Sequence, residues 1–330
     1  MIIIKVKNIS KFFKLFKREP GLSGAFQSFI NRKYEKFYAI KNINLEIERG
    51  KILGILGENG AGKTTLIKLM VGLIHPSRGK IICNNFIPWE RNFNYLKKIS
   101  MVMGQKNQLW WDIPASESFL LNKQIYNIDD EIYYSTLNEL VELFDVKNKM
   151  NIQVRRLSLG ERMKMEIIAA LLHRPEIIFL DEPTLGLDVI SQSRIREFIK
   201  YYNEQYKTTF IITSHYMHDI QELCKRVLVM HKGESMYDGE FSHLIKKINP
   251  HKRLIFEFSS SIKRLDLDLF LNENNLEVKG NILRLELSNS KIQLIINKIL
   301  IFDPFGKLII EELPVEDTMK KFFINPKQYI

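Results

Sequence analysis

The period of the apolar positions changes several times along the chain, and each change marks an element. Residues 1–10 read as a strand, and residues 39–56 as further strands in which Ile43, Leu45 and Ile47 alternate with Asn44 and Glu46. Between them residues 11–36 interrupt the β pattern. Lys11-Phe12-Phe13-Lys14-Leu15-Phe16-Lys17-Arg18 is followed by Pro20-Gly21 and a second amphipathic stretch to Tyr34. This insertion either presents its aromatics and cations to a partner or packs them on the core as a local helical pair. Ile52-Leu53-Gly54-Ile55-Leu56 is a short buried strand, after which Leu66, Leu69, Met70 and Leu73 fall at helical spacing. A turn at Pro76-Ser77-Arg78-Gly79 leads to a strand at Lys80-Ile81-Ile82.

Residues 90–175 are dominated by helical periodicity, with Leu137, Leu140, Val141 and Phe144 on one face. Residues 177–180 and 210–212 are apolar on both faces, as central parallel strands are. Asp238-Gly239 closes that unit. From about residue 250 the pattern restarts: strand (253–258), helix (265–271), two strands flanking Lys279-Gly280-Asn281, helix (291–300), strand (307–311), closing helix (315–323). That order is the split-βαβ, ferredoxin-like arrangement. The expected fold is α/β with two domains, residues 1–245 and 250–330.

Composition narrows the setting. With 45% hydrophobic and 26% charged residues, the 330-residue chain is of globular type and long enough for a large core. No apolar run approaches the ~20 residues that span a bilayer, and the first residues lack the features of a leader peptide. The two cysteines, Cys83 and Cys224, have no metal-ligand spacing, which fits a reduced, cytoplasmic compartment. A net charge of +11 suits nucleic acid or an anionic membrane face, but lysine is spread throughout, so charge alone selects neither.

The chemistry begins at Gly57-Glu58-Asn59-Gly60-Ala61-Gly62-Lys63-Thr64-Thr65, which fits the phosphate-binding pattern G-x-x-x-x-G-K-[ST] between a strand and a helix. The glycines let backbone N–H groups approach a polyphosphate, and the helix start adds open donors and partial positive charge. Lys63 reaches the outer phosphates, and the Thr64 hydroxyl is a hard-oxygen ligand for Mg²⁺. Asp181-Glu182 ends the apolar strand before it, at the strand end where open α/β sheets bind ligands. Asp181 suits Mg²⁺, and Glu182 a water that attacks phosphorus. Thr213-Ser214-His215 ends the next strand, where His215 is placed to position that water. Leu157-Ser158-Leu159-Gly160-Glu161-Arg162 precedes an apolar helix. Ser158 caps it, and together with Gly160 it makes a second anion half-site. Two half-sites in one chain suggest two chains meeting around ATP.

These motifs resemble the ATP-binding subunits of ABC transporters, over roughly residues 1–245. The loop from Gly57 to Thr65 is similar to Walker A, residues 177–182 to Walker B, and residues 157–161 to the Leu-Ser-Gly-Gly-Gln signature. Gln105, after Ser100-Met101-Val102-Met103-Gly104, resembles the Q-loop glutamine that contacts Mg²⁺ and water. Leu187-Asp188 resembles the end of the D-loop, His215 the switch histidine, and Tyr34 (with Tyr38 as the alternate) the aromatic that stacks on adenine. Leu159 replaces the first signature glycine and Glu161 the glutamine, whereas Ser158 and Gly160 are retained. The resemblance implies a P-loop NTPase fold with a mixed-sheet core, a helical subdomain over about residues 90–160, and ATP and Mg²⁺ as ligands. It implies Thr64, Gln105 and Asp181 at the metal, and Glu182, His215 and Gln105 in catalysis. Residues Gly57, Glu58, Asn59, Gly60, Ala61, Gly62, Lys63, Thr64 and Thr65 would hold the nucleotide from one chain, and Ser158, Gly160 and Glu161 from a second.

The Asn59–Thr65 variant, the 11–36 insertion and the run from Met103 to Trp111 resemble ABC-2-type exporter ATPases, which pair with separate six-helix membrane subunits. The expected protein is a dimeric ATPase at the inner face of the membrane, driving a permease, with no direct nucleic-acid partner. A non-transport ABC ATPase acting on ribosomes or DNA is the alternative. One cassette, no sustained heptads and no paired-cysteine motif weigh against it. A P-loop kinase or GTPase leaves Ser158-Leu159-Gly160 and His215 unexplained.

Overall fold

The computed structural model describes residues 1–16, 34–104, 106–259 and 276–329. It divides into two compact units, Met1–Phe241 and Ser242–Ile330. In the first, β1 (Ile2–Phe16) lies between β2 (Tyr34–Glu48) and β4 (Arg78–Cys83) in an antiparallel sheet. The second sheet holds β3 (Ile52–Gly57), β5 (Ile99–Met103), β6 (Ile177–Asp181), β7 (Thr209–Thr213), β8 (Arg226–His231) and β9 (Glu234–Glu240) in the order β5-β6-β7-β3-β8-β9. All its neighbours are parallel except β8 and β9. One core joins the sheets. It packs Ile4 and Val6 of β1 and Ile43 and Leu45 of β2 with Leu66 and Met70 of helix α1 (Lys63–Val71). Burial of this size is the main force that holds such a fold.

Two sequence expectations change here. Residues 11–16 do not break the β pattern, because β1 runs on through Phe16 and pairs residue by residue with Tyr34–Tyr38 of β2. Alternating lysines and large aromatics favour a strand once a matching strand lies beside them, and that partner is distant in sequence. Residues 17–33, with the second amphipathic stretch, lie outside the described residues. The helical region after residue 90 also contains β5, whose Ile99 and Val102 are buried at one edge of the parallel sheet.

The helices of this unit are α2 (Phe93–Leu96), α3 (Ala115–Tyr126), α4 (Asp130–Phe144), α5 (Leu159–Leu171), α6 (Val189–Tyr206) and α7 (Met217–Leu223). The predicted face of α4 is buried at Leu137, Leu140, Val141 and Phe144, and the Phe144 ring lies 4.3 Å from that of Phe198 on α6.

The boundary falls at the start of α8 (Phe241–Ile248), and the second unit contains β10 (His251–Glu257), β11 (Glu277–Lys279), β12 (Ile282–Ser288), α9 (Asn289–Phe302), β13 (Lys307–Glu312) and α10 (Val315–Ile324). Its antiparallel sheet has the order β11-β12-β10-β13, in which the second-last and first strands are central, as the ferredoxin-like pattern requires. Leu254, Phe256, Leu283 and Leu285 pack against Ile295 and Ile299 of α9. The helix expected over 265–271 lies outside the described residues. Among those described, no helix is long and apolar enough to cross a membrane.

Candidate functional site

The carboxyl ends of β3, β5, β6 and β7 share one edge of the parallel sheet, so their end residues converge. β3 stops at Gly57, and the chain turns through Glu58, Asn59, Gly60 and Ala61 into α1. Gly62 caps the helix at φ +104, where a Cβ would stand 2.5 Å from the Ala39 carbonyl oxygen. Only glycine fits that turn beneath β2. No side chain caps the N-terminus of α1, leaving backbone donors open to an anion. Lys63 Nζ donates to the carbonyls of Gly57 at 2.7 Å and Glu58 at 3.2 Å. Burial lowers the Lys63 pKa, opposed by the nearby charges of Glu182 and Asp181.

Across from Lys63 stand two carboxylates with different surroundings. Asp181 accepts from Thr64 Oγ1 at 2.9 and 3.1 Å through its two oxygens, and from Thr213 Oγ1 at 2.7 Å. A hydroxyl and a carboxylate at the mouth of a phosphate loop are hard-oxygen donors of the kind Mg²⁺ takes, so these residues fit that ion. Glu182 follows at φ +57, a left-handed conformation that costs a non-glycine residue about 1 kcal/mol or more and is frequent where function dictates geometry. Its Oε2 accepts from the His215 backbone N–H at 2.9 Å. Oε1 has no hydrogen-bond partner among the described residues, and His215 Nε2 stands 3.2 Å from it without the alignment of a hydrogen bond. Burial pushes the Glu182 pKa up to about 7, against the pull of Lys63. Burial, then Lys63, lowers the pKa of His215, which favours a neutral ring. A half-protonated carboxyl beside a neutral imidazole is suited to proton transfer near neutral pH.

Behind these groups lies a buried network that the sequence reading does not single out. Asp219 of α7, 1% exposed, accepts from Ser214 Oγ at 2.9 Å, from Arg196 Nη1 of α6 at 2.8 Å, and from the Thr184 hydroxyl. It thereby ties the turn after Glu182 to the turn that holds His215. Thr213, which grips Asp181 and accepts from the Glu182 N–H at 3.0 Å, is equally unmarked in the sequence beyond its place at a strand end.

A cleft of about 430 Å³ is lined by the loop from Glu58 to Thr65 together with Asp181, Glu182 and His215. Its aromatic walls are Phe13 and Phe37, not Tyr34 or Tyr38. Side chains alternate along β2, so Tyr34 and Tyr38 share one face and Phe37 and Ala39 the other, and the second face meets the cleft. Tyr34, the residue expected to stack on adenine, therefore lies on the face away from the cleft lining. Lys106 also lines the cleft, whereas Gln105 lies outside the described residues.

Ser158, Gly160 and Glu161 do not line this cleft. They form the start of α5, closed by a reciprocal cap: Ser158 Oγ accepts from the Glu161 N–H at 3.2 Å, and the Glu161 carboxylate from the Ser158 N–H at 3.0 Å. Gly160 is buried against the start of α6, where a Cβ would stand 2.4 Å from Ser191 Oγ. Ser191 in turn donates to Asp188, from its N–H at 2.9 Å and its hydroxyl at 2.6 Å.

Comparison with known proteins follows the same lines. The ABC transporter family matches residues 40–185. The chain is 35% identical over 206 residues to the ABC transporter ATP-binding protein NatA of Bacillus subtilis (strain 168), covering 62% of this chain and 83% of that one. It is 32% identical over 240 residues to the bacitracin transport ATP-binding protein BcrA of Bacillus licheniformis, covering 72% and 76%. To the methionine import ATP-binding protein MetN 2 of Enterococcus faecalis it is 32% identical over 219 residues, covering 65% and 63%. Among solved structures, the dimeric bacterial ABC transporter cassette MJ0796 is similar at 25% identity and TM-score 0.59, covering 72% of this chain and 98% of that one.

Proposed function

Because the chain belongs to the family of ABC transporter ATP-binding proteins, we infer that the cleft at the sheet edge is its ATP site and that it powers an ABC-2-type exporter. The observation that carries the catalytic part is Glu182: a buried carboxyl with an unpartnered oxygen, held near neutrality in the same cleft as Lys63. In this reading the open N–H groups of α1 and the Lys63 ammonium bind the phosphates. Thr64 and Asp181 would hold Mg²⁺, which supplies positive charge against the phosphate oxygens when bound. Glu182 takes the proton of the attacking water, and His215 keeps that water and the carboxylate in place.

The Ser158–Gly160 turn completes the site of a second copy. It lies off its own chain's cleft, and a dimer is the state of the MJ0796 relative. Closure on ATP and opening after hydrolysis then move a separate membrane subunit. Export rests on the resemblance of Asn59–Thr65, the long β1–β2 insertion and the Met103–Trp111 run to ABC-2-type ATPases. The likeness to a methionine import protein favours the opposite direction. A neighbouring reading frame with about six ~20-residue apolar spans would supply the membrane subunit, and co-expression with it, followed by transport assays in inside-out vesicles, decides between them. ATP-driven accumulation inside such vesicles is the expected result. Depletion reverses the direction, and failure to co-purify with any membrane subunit overturns the transport reading.

A further inference from the structure

The hairpin of β1 and β2 changes character at Lys11 and Ile40. Below that point its inward positions, among them Ile4, Val6, Ile9, Ile43 and Leu45, are buried. Above it both strands continue in full register, Phe12 opposite Tyr38 and Phe13 opposite Phe37, but their side chains leave the core. Phe13, Lys14, Lys36, Phe37 and Tyr38 are all exposed. One face of this arm, carrying Phe13 and Phe37, belongs to the cleft. The other face carries Phe12, Lys14, Lys36 and Tyr38 and has no role in the site.

On that outer face Lys14 and Lys36 are direct cross-strand partners. Like charges in that position weaken a strand pair, so the arrangement works against the hairpin's own stability. Neither lysine has an ion-pair partner among the described residues, and the nearby Glu35 falls on the opposite face by alternation. The flanking rings form a tight group: Phe12 and Tyr38 lie 5.6 Å apart, and Lys36 Nζ sits 5.0 Å from the Phe12 centroid. Among the described residues of the arm, 11–16 and 34–38, three lysines stand against one glutamate. Uncompensated lysines beside amphipathic rings match a surface of anionic headgroups, where tyrosine and phenylalanine sit at the polar–apolar boundary and lysine is drawn by the surface potential. Nucleic acid is the weaker match, because its recognition relies on planar, bidentate arginine, and this face carries none.

We propose that the outer face of the β1–β2 arm, centred on Lys14, Lys36, Phe12 and Tyr38, is a docking surface for anionic lipid. It rests on the reading of this chain as the ATPase of a membrane transporter, but its test needs neither a membrane subunit nor ATP. The two ideas therefore fail separately. The full chain is floated with vesicles of phosphatidylcholine plus phosphatidylserine, and with phosphatidylcholine alone. Binding only to the anionic vesicles, weakening as salt shortens the screening length, is expected. Lys14→Gln with Lys36→Gln should cut partitioning about thirtyfold, about fivefold for each lysine, with ATP hydrolysis in solution unchanged. Tyr38→Ser, which keeps both charges, should weaken binding less and serves if the double variant misfolds by circular dichroism. Equal binding to both kinds of vesicle, or undiminished binding by the folded variants, overturns the proposal. So does a single-stranded RNA that is bound where anionic vesicles are not, which would make this a nucleic-acid surface.

Discussion

Two helix N-termini in this protein carry glycine and small polar residues, and they are built in opposite ways. At the start of α1 no described side chain closes the end: Gly62 has none, and Asp181, Glu182 and His215 line the same cleft. At the start of α5 the chain closes its own end through the Ser158–Glu161 cap, and Gly160 is pressed against Ser191. In the reading proposed here, the first is an anion site that its own chain surrounds with reactive groups. The second is a closed corner whose exposed Ser158 does not line the Lys63 cleft. A glycine near a helix start thus says little by itself. What matters is whether the chain has already used the donors, and where the remaining ones point.

If the chemistry belongs wholly to the α1 edge, the largest effect should come from Glu182→Gln. The change keeps the shape and removes the base, so kcat should fall about 10²–10⁴-fold while ATP affinity holds. ATP should then trap a dimer, visible by size-exclusion chromatography. Near-normal turnover would remove Glu182 from the mechanism and leave the unpartnered oxygen without a purpose.

The α5 corner is tested by mixing two damaged chains. Lys63→Ala spoils the loop. Ser158→Asp keeps a good N-cap residue but adds negative charge at the corner, a cleaner change than any side chain at Gly160. Each homodimer should be inactive. In a mixed dimer both defects fall in one site and the other is wild type, so one-to-one mixing should restore roughly a quarter of normal hydrolysis. No recovery, with mixed dimers shown to form, sinks the two-chain arrangement.

How much of this contrast the sequence reveals depends on distance along the chain. The α1 loop, Asp181, Glu182 and His215 are legible because each follows an apolar strand, and strand ends converge by topology. The Ser158 cap is legible because its partner is three residues away. The Asp219 network is not, since its donors Thr184 and Arg196 come from segments 35 and 23 residues away. The same holds for Lys11–Phe16. Locally they resemble a helical face, and only the matched aromatics of Tyr34–Tyr38 make them a strand. The aromatic wall at Phe37 is hidden for a narrower reason: with period 2, a one-residue step is a change of face.

Glu182 also offers a test by stability. Its folded pKa of about 7 lies above the ordinary carboxylate value of 4.5 because burial disfavours the charge. The stability it contributes is fully present below the unfolded value and is lost as pH rises through the folded one. Glu182→Gln should therefore raise Tm at pH 8, by about 2–4 °C for each kcal/mol relieved, and change it much less at pH 5. An equal rise at both values would show that burial of the charge is not what strains the site. The same group should place the acid limb of kcat/KM near pH 7 in the wild type.

The smallest effect separates the two roles that remain at the α5 corner, cap and phosphate contact. Glu161 occupies the place of the family's glutamine, and either residue can accept from the Ser158 N–H, so Glu161→Gln preserves the cap. It loses the 3.0 Å ion pair with Lys149. That pair is partly exposed, and its loss should cost at most about 1 kcal/mol. The Glu161 pKa is lowered, first by the Ser158 backbone and then by Lys149. Its stabilising effect is therefore present above the normal carboxyl range and fades as pH falls through the lowered value. The Tm difference between variant and wild type should shrink in acid. If the corner also meets a second chain's phosphates, removing its negative charge should lower KM for ATP by about three- to fivefold, the weight of one charge pair in water-like surroundings, with kcat unchanged. A shift in Tm with no change in KM makes Glu161 a cap alone. A change in KM that persists at a pH where Glu161 is already neutral points to the amide rather than to the charge.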